Sequence, residues 1–253
     1  MSTPFIPCYV VNLATDQTRR QIMEASLQEK GITPIFFDAV DGRIMPEDQL
    51  KQQVNWPRLK HEYGTLTKGE IGCALSHLGI YRDIVQKGYR YALILEDDVC
   101  LADDLQSLLD PDSPEYLGQI LSTNKPEMIQ LTKVHRGFRF NKKSFGKRNR
   151  VAVRPYSDVW RTSGYAINLA AARNLAKNLH PLWTVGDHWS RFQEKGLVTL
   201  WALTPVAVWE SEQAQASNLG TDGKPRHKNK KTLEQRLRRI GHDIVRPLIT
   251  YKL

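Results

Sequence analysis

Three carboxylates stand side by side at Glu96-Asp97-Asp98, directly after the apolar run Tyr91–Leu95. Adjacent acids repel one another and are disfavoured in strands, so local propensity does not account for them. One reading is a site for a hard divalent cation, since Mg²⁺ or Mn²⁺ is held by one or two carboxylates together with substrate phosphates. The other is a solvated acidic turn that caps a helix near Leu101–Leu109. Arg19 and Arg20 have the chemistry to pair with a pyrophosphate or a base carbonyl, or else face solvent. His77 lies in Cys73-Ala74-Leu75-Ser76-His77 among apolar neighbours, either as a satisfied structural histidine or as a ligand. Asp187, just ahead of a short predicted helix, fits an N-cap and equally a base or acceptor-binding carboxylate in a cleft.

These side chains need elements to hold them. Pro7–Leu13 is a short apolar run that predicts a first strand, and Thr15–Lys30 has helical spacing with Gly31 as its stop. Ile35–Val40 predicts a second strand, closed by the turn pair Asp41-Gly42. Residues 43–66 have no clean period. Thr67 and Glu70 match a capping box that opens a helix to about Gln86, ended by Gly88. Tyr91–Leu95 is apolar at every position, as expected of a central strand covered on both faces. Further strands are predicted at Met128–Leu131, Thr162–Asn168, Val198–Leu203 and Val206–Trp209, the last two closing the sheet and split at Pro205. Leu169–Leu179 reads as a helix, and 133–150 as a loop or hairpin. The alternation predicts an α/β fold with a mostly parallel central sheet covered by helices. The carboxyl ends of such strands are where ligands bind, and the acidic cluster stands at one of them.

The 253 residues suffice for a large buried core, and 41% apolar with 25% charged residues excludes disorder as the default state. No run approaches the roughly 18–20 apolar residues of a membrane span. Met1–Leu13 has no basic n-region or small-residue cleavage site, which gives the expectation of a cytoplasmic protein. Cys8, Cys73 and Cys100 form no CxxC pair and sit in apolar contexts, so they are expected to be small buried hydrophobes rather than a zinc site or disulfide framework. The net charge of +9 is uneven. Residues 133–154 hold nine Lys/Arg and no acid, and residues 224–246 hold nine Lys/Arg against Glu234 and Asp243, so the remainder is acidic. Leu233, Leu237, Ile240, Ile244 and Leu248 form one helical stripe with arginines on the other faces, a pattern of membrane-surface helices and also of helices packed on their own core.

Several stretches together resemble glycosyltransferase family 25, the bacterial lipooligosaccharide and lipopolysaccharide transferases related to the collagen galactosyltransferases. They are Tyr9–Arg20 (YVVNLATDQTRR), Phe37–Gly42 (FDAVDG), Leu66–Ile84 (LTKGEIGCALSHLGIYRDI), Ala92–Leu101 (ALILEDDVCL), Ser163–Leu175 (SGYAINLAAARNL) and Val185–Trp189 (VGDHW). The resemblance implies a GT-A-like nucleotide-sugar-binding domain over residues 1–220, with 221–253 a basic tail. It implies a UDP-sugar donor, commonly UDP-galactose, bound by Asn12, Arg19, Arg20, His77, Glu96 and Asp97. A Mn²⁺ or Mg²⁺ ion would rest on Asp98 with Asp97 or Glu96 assisting. The first acid is Glu rather than the Asp of a strict DxD, which leaves open which of the three touches metal. Asp187 is the expected base of an inverting transfer to a glycolipid acceptor. The tail would meet the anionic inner face of the membrane, giving a cytoplasmic, peripherally attached enzyme. A nucleotidyltransferase would need a glycine-rich phosphate loop, and residues 8–20 contain no glycine. A nucleic-acid-binding module would suit the pI of 9.5, but only Phe138, Phe140 and Phe145 interleave the first basic segment and no recognition motif accompanies it. Nucleic acid is therefore not expected as a partner.

Overall fold

The structure, a computed structural model, describes residues 5–121, 124–145, 150–211 and 249–253. In chain order the elements are β1 Cys8–Asn12, α1 Gln17–Gln28, β2 Pro34–Asp38, α2 Glu47–Gln53, α3 Trp56–Glu62, α4 Lys68–Lys87, β3 Tyr91–Glu96, β4 Val99–Leu101, α5 Leu105–Leu109, β5 Glu127–Gln130, β6 Arg136–Phe138, β7 Lys143–Phe145, β8 Arg150–Val153, β9 Gly164–Asn168, α6 Leu169–Asn178, α7 Trp189–Glu194, β10 Thr199–Thr204, β11 Val208–Glu210 and β12 Thr250–Lys252.

Among the described residues, eight strands form one sheet in the order β2-β1-β3-β9-β5-β10-β8-β7. The pairs β2–β1, β1–β3 and β5–β10 are parallel, and the other four are antiparallel. Only β9 and β8 run against the rest, so six strands share one direction. Successive side chains alternate between two cores, as the period of a strand requires. Cys8, Val10, Leu93 and Leu95 face a core closed by Met23 and Leu27 of α1 and by Leu105 and Leu108 of α5. Tyr9, Val11, Ala92 and Ile94 face the other core, against Leu78, Tyr81 and Ile84 of α4 and Leu175 of α6. Helices on both faces are why the strands read as unbroken apolar runs.

The longest helix begins as its sequence requires. Thr67 Oγ1 accepts from the Glu70 amide at 3.1 Å, and Glu70 Oε2 accepts from the Thr67 amide at 2.8 Å. It ends at Gly88, whose φ of +68° is the left-handed region that glycine enters without strain. Close approach by backbone fixes its other side. A Cβ on Gly72 would lie 2.4 Å from the Val40 carbonyl oxygen, and one on Gly42 would lie 1.9 Å from the Lys68 carbonyl oxygen. The turn after β2 is thus pressed directly onto the first turns of α4.

Residues 43–66 contain two seven-residue helices. Each buries one residue of its own span, Leu50 in α2 and Leu59 in α3, beside Ile71 and Ala74 of α4. One buried position per helix leaves no period to read. The expectation that Val206–Trp209 closes the main sheet is corrected: β11 pairs antiparallel with β4, in a separate ribbon. Three-residue strands carry too little alternation to identify their partner. The basic segment after Thr132 holds β6 and the β7–β8 hairpin. The last residues return to it, with β12 paired antiparallel to β6. The stripe Leu233–Leu248 lies outside the described residues.

Candidate functional site

The carboxyl ends of β1 and β3 lie side by side, because Val11 is in register with Glu96. The chain after β3 therefore delivers its three acids beside Asn12 and the first turn of α1. Asn12 Nδ2 donates to Asp97 Oδ2 at 2.7 Å and to the Asp16 carbonyl at 3.1 Å. Asp16 is the N-cap of α1. Arg19, one turn in, places its guanidinium 3.1 Å from Asp97 Oδ1 and 3.6 Å from Asp98 Oδ2. From the opposite wall, His77 of α4 sets Nε2 3.7 Å from Glu96 Oε1. Its Nδ1 lies 2.7 Å from the Tyr165 hydroxyl, itself 2.9 Å from that of Tyr81. Thr162 donates a very short hydrogen bond to Glu96 Oε1. Asn12, Arg19, His77 and the three acids, together with Val40–Arg43, Gly69, Cys73 and Ser76, line a cleft of about 140 Å³.

The three acids fall into three different environments. Burial pushes the Glu96 carboxyl up, but His77 and Thr162 outweigh it and hold the group below its ordinary value. Asp97 is raised by burial, against the hydrogen bond from Asn12 and the charge of Arg19. Asp98 is pushed up to about 6 by burial and by the charges of Glu96 and Asp97. Glu96 and Asp97 are thus occupied by hydrogen bonds, whereas Asp98 keeps the looser contact, its ion pair with Arg19. Asn12 Oδ1 is buried in the same cleft with no hydrogen-bond partner among the described residues. An oxygen-rich set with uncompensated negative charge and an orphaned amide oxygen fits a hard divalent cation.

Of the residues expected from sequence, Asn12, Arg19, His77, Glu96, Asp97 and Asp98 are brought together in this cleft. Arg20 is not among its lining; it pairs with Asp38 at 3.2 Å and lies over the Phe36 ring at 4.2 Å. Asp187 also does not line it. Neither is Asp187 the helix cap, since the N-cap of α7 is His188. Asp187 is half-buried, and its charge reaches Cys73 in the cleft wall. Cys73 corrects the expectation for the cysteines: Cys8 is core, but Cys73 faces the cleft. Thr162 was seen only as the start of a strand. Its signal is weak, because the contact with Glu96 spans 66 residues of sequence. Of the wall Val40–Arg43, the sequence shows the end of a predicted strand, the turn pair Asp41-Gly42 and part of the Phe37–Gly42 resemblance, none of which by itself places it against α4.

The profile of glycosyltransferase family 25 (LPS biosynthesis protein) matches residues 5–189. The chain is 33% identical over 196 residues to the probable inactive glycosyltransferase 25 family member 3 of Rattus norvegicus, covering 72% of this chain and 32% of that protein. It is 29% identical over 201 residues to the lipooligosaccharide biosynthesis protein lex-1 of Haemophilus influenzae, covering 72% and 65%. It is 33% identical over 102 residues to procollagen galactosyltransferase 2 of Mus musculus, covering 38% and 16%. The aligned part thus spans about a third of the rat relative's length.

Proposed function

Because the chain belongs to glycosyltransferase family 25, we propose that it is an inverting galactosyltransferase moving galactose from UDP-galactose to a sugar of a lipooligosaccharide or lipopolysaccharide acceptor. The observation that carries this reading is the convergence of Asn12, Arg19, His77 and the three acids on one cleft at the strand ends. The relatives named for lipooligosaccharide biosynthesis and for procollagen galactosyl transfer supply the acceptor and donor classes.

Asp98, with Asp97, would hold a Mn²⁺ or Mg²⁺ ion, whose charge supplies stabilisation of the donor diphosphate. Arg19, fixed between Asp16, Asp97 and Asp98, is placed to neutralise charge that develops on the leaving nucleotide. Asn12 holds Asp97 in place and keeps one buried oxygen for a ligand. Asp187 is the proposed base for the acceptor hydroxyl. It does not line the cleft, and catalytic contacts often tighten only with substrate bound. Attachment to the anionic inner membrane through residues 224–248 belongs to the same proposal. Its support is the net +7 of 224–246 and the apolar stripe.

A screen of UDP-, GDP- and CMP-sugars with and without Mn²⁺ tests the reading. Turnover confined to UDP-galactose and lost on chelation supports it, whereas turnover with another donor replaces the galactose assignment. The relatives named inactive raise a second reading, a donor-binding domain without transfer. UDP binding with no turnover on any donor would favour that one.

A further inference from the structure

We propose that Cys73 Sγ, His77 Nε2 and Glu96 Oε1 form a site for one zinc-like divalent cation in the cleft wall, separate from the hard-cation site on Asp97 and Asp98. The proposal does not depend on the transferase reading. The three donor atoms, a thiol, an imidazole and a carboxylate, all lie within 4.8 Å of one another. Cys73 and His77 are four residues apart on α4, which puts both on one face of the helix, pointing at the end of β3.

An independent observation points to a ligand. The His77 side chain is 2% exposed, and its Nε2 has no hydrogen-bond partner among the described residues. A buried polar atom of this kind is a debt that proteins rarely leave open. Glu96 does not close it, because 3.7 Å exceeds a hydrogen bond. The same spacing is near the edge of a tetrahedron about zinc, where nitrogen and oxygen ligands at roughly 2.0–2.1 Å stand about 3.3 Å apart. A small inward shift would satisfy all three donors.

The surroundings match what such a cation needs. Ligating histidines are normally fixed through their other nitrogen, and His77 Nδ1 is held by the Tyr165 hydroxyl, backed by Tyr81. The short bond from Thr162 orients Glu96. A thiolate and a carboxylate balance two positive charges, with the thiol proton released to solvent on binding. Thiolate with imidazole selects Zn²⁺ or Co²⁺ over Mg²⁺ and Mn²⁺, while the oxygen pair beside it has the opposite preference. Sequence spacing could not show this site, because its ligands come from two elements and form no recognised run.

The test is a Co²⁺ titration of the metal-stripped full chain in saturating Mg²⁺, which fills oxygen-only sites. The expected result is one equivalent bound with thiolate-to-cobalt charge-transfer absorption, bleached by Zn²⁺. Cys73→Ser and His77→Gln should each lose that band while keeping the parent far-UV circular dichroism. Cys100→Ser and Asp98→Asn should keep it. If Cys73→Ser fails to fold, His77→Gln carries the same readout. Absence of the band in the folded parent, its survival in Cys73→Ser, or its loss in Cys100→Ser or Asp98→Asn would overturn the proposal.

Discussion

Two acidic centres lie six residues apart in the chain and are built on opposite principles. At the first, Asp97 and Asp98 share one arginine, Glu96 is held by His77 and Thr162, and both aspartates are pushed up from their ordinary values. At the second, Asp104 and Glu115 clamp Arg150, at 2.7 Å to Asp104 Oδ2 and 3.2 Å to Glu115 Oε2, and Ser107 donates to Glu115 at 2.9 Å. All three charged side chains there are under 10% exposed. Completed hydrogen bonding lets the second centre sit in the interior as structure. The first is left short of positive charge, and that shortfall marks it as a place for a ligand.

The sharpest way to break the contrast is Asp98→Asn. Turnover should fall by about 10³-fold or more, while thermal stability holds or rises because a repelling charge is gone. Near-normal turnover in a folded protein would remove the metal assignment. Arg150→Met should do the reverse. It leaves two carboxylates buried without their cation, at a cost of about 3–5 kcal/mol, a melting-temperature drop on the order of 10 °C for a chain of this size. Melting unchanged from the parent would mean that the second centre is not structural. Asp187→Asn comes next, with about a 10²-fold loss in kcat and little change in donor binding if it takes the acceptor proton. Equal kcat would reassign the base.

The smallest effect is in pH. Asp98 titrates near 6 when folded, above its ordinary 3.8, so the folded state gains a proton first. Its contribution to stability therefore rises as pH falls from 7 to 5. Glu62 has the opposite sign. Lys195 and Arg191 hold it low against the effect of burial, so its contribution is lost only below the usual carboxylate range. Melting of the metal-free protein should climb by a few degrees at most between pH 7 and pH 5, and Asp98→Asn should flatten that climb. Equal slopes in the two proteins would show that Asp98 is not the strained group.

The sequence revealed the first centre better than the second. Three neighbouring acids after an apolar strand stand out locally, and the Thr67/Glu70 box located the helix that carries His77. Arg150 does not stand out, because it sits in the basic run 133–154, whose first part reads as a loop or hairpin. In fact Arg150 is buried, Lys143 donates to the Ile120 carbonyl at 2.6 Å, and Arg154 lies over Trp201 with its guanidinium lowered by burial. Formal charge counts cannot tell a solvated cation from one spent on the interior. The reversed direction of β9 was equally invisible, since a strand buried on both faces reads the same either way.

The pairing of β12 with β6 bears on how the chain responds to cutting. Thr250 is buried, Leu253 donates to the His135 carbonyl at 3.2 Å, and Arg139 donates to the Ile249 carbonyl at 2.9 Å and through Nε to that of Thr250 at 3.1 Å. The last five residues are therefore fastened to the body of the domain through β6. Removing everything beyond residue 223 would also strip a strand from the body, so a deletion meant to probe the basic segment should excise 224–246 and rejoin the ends.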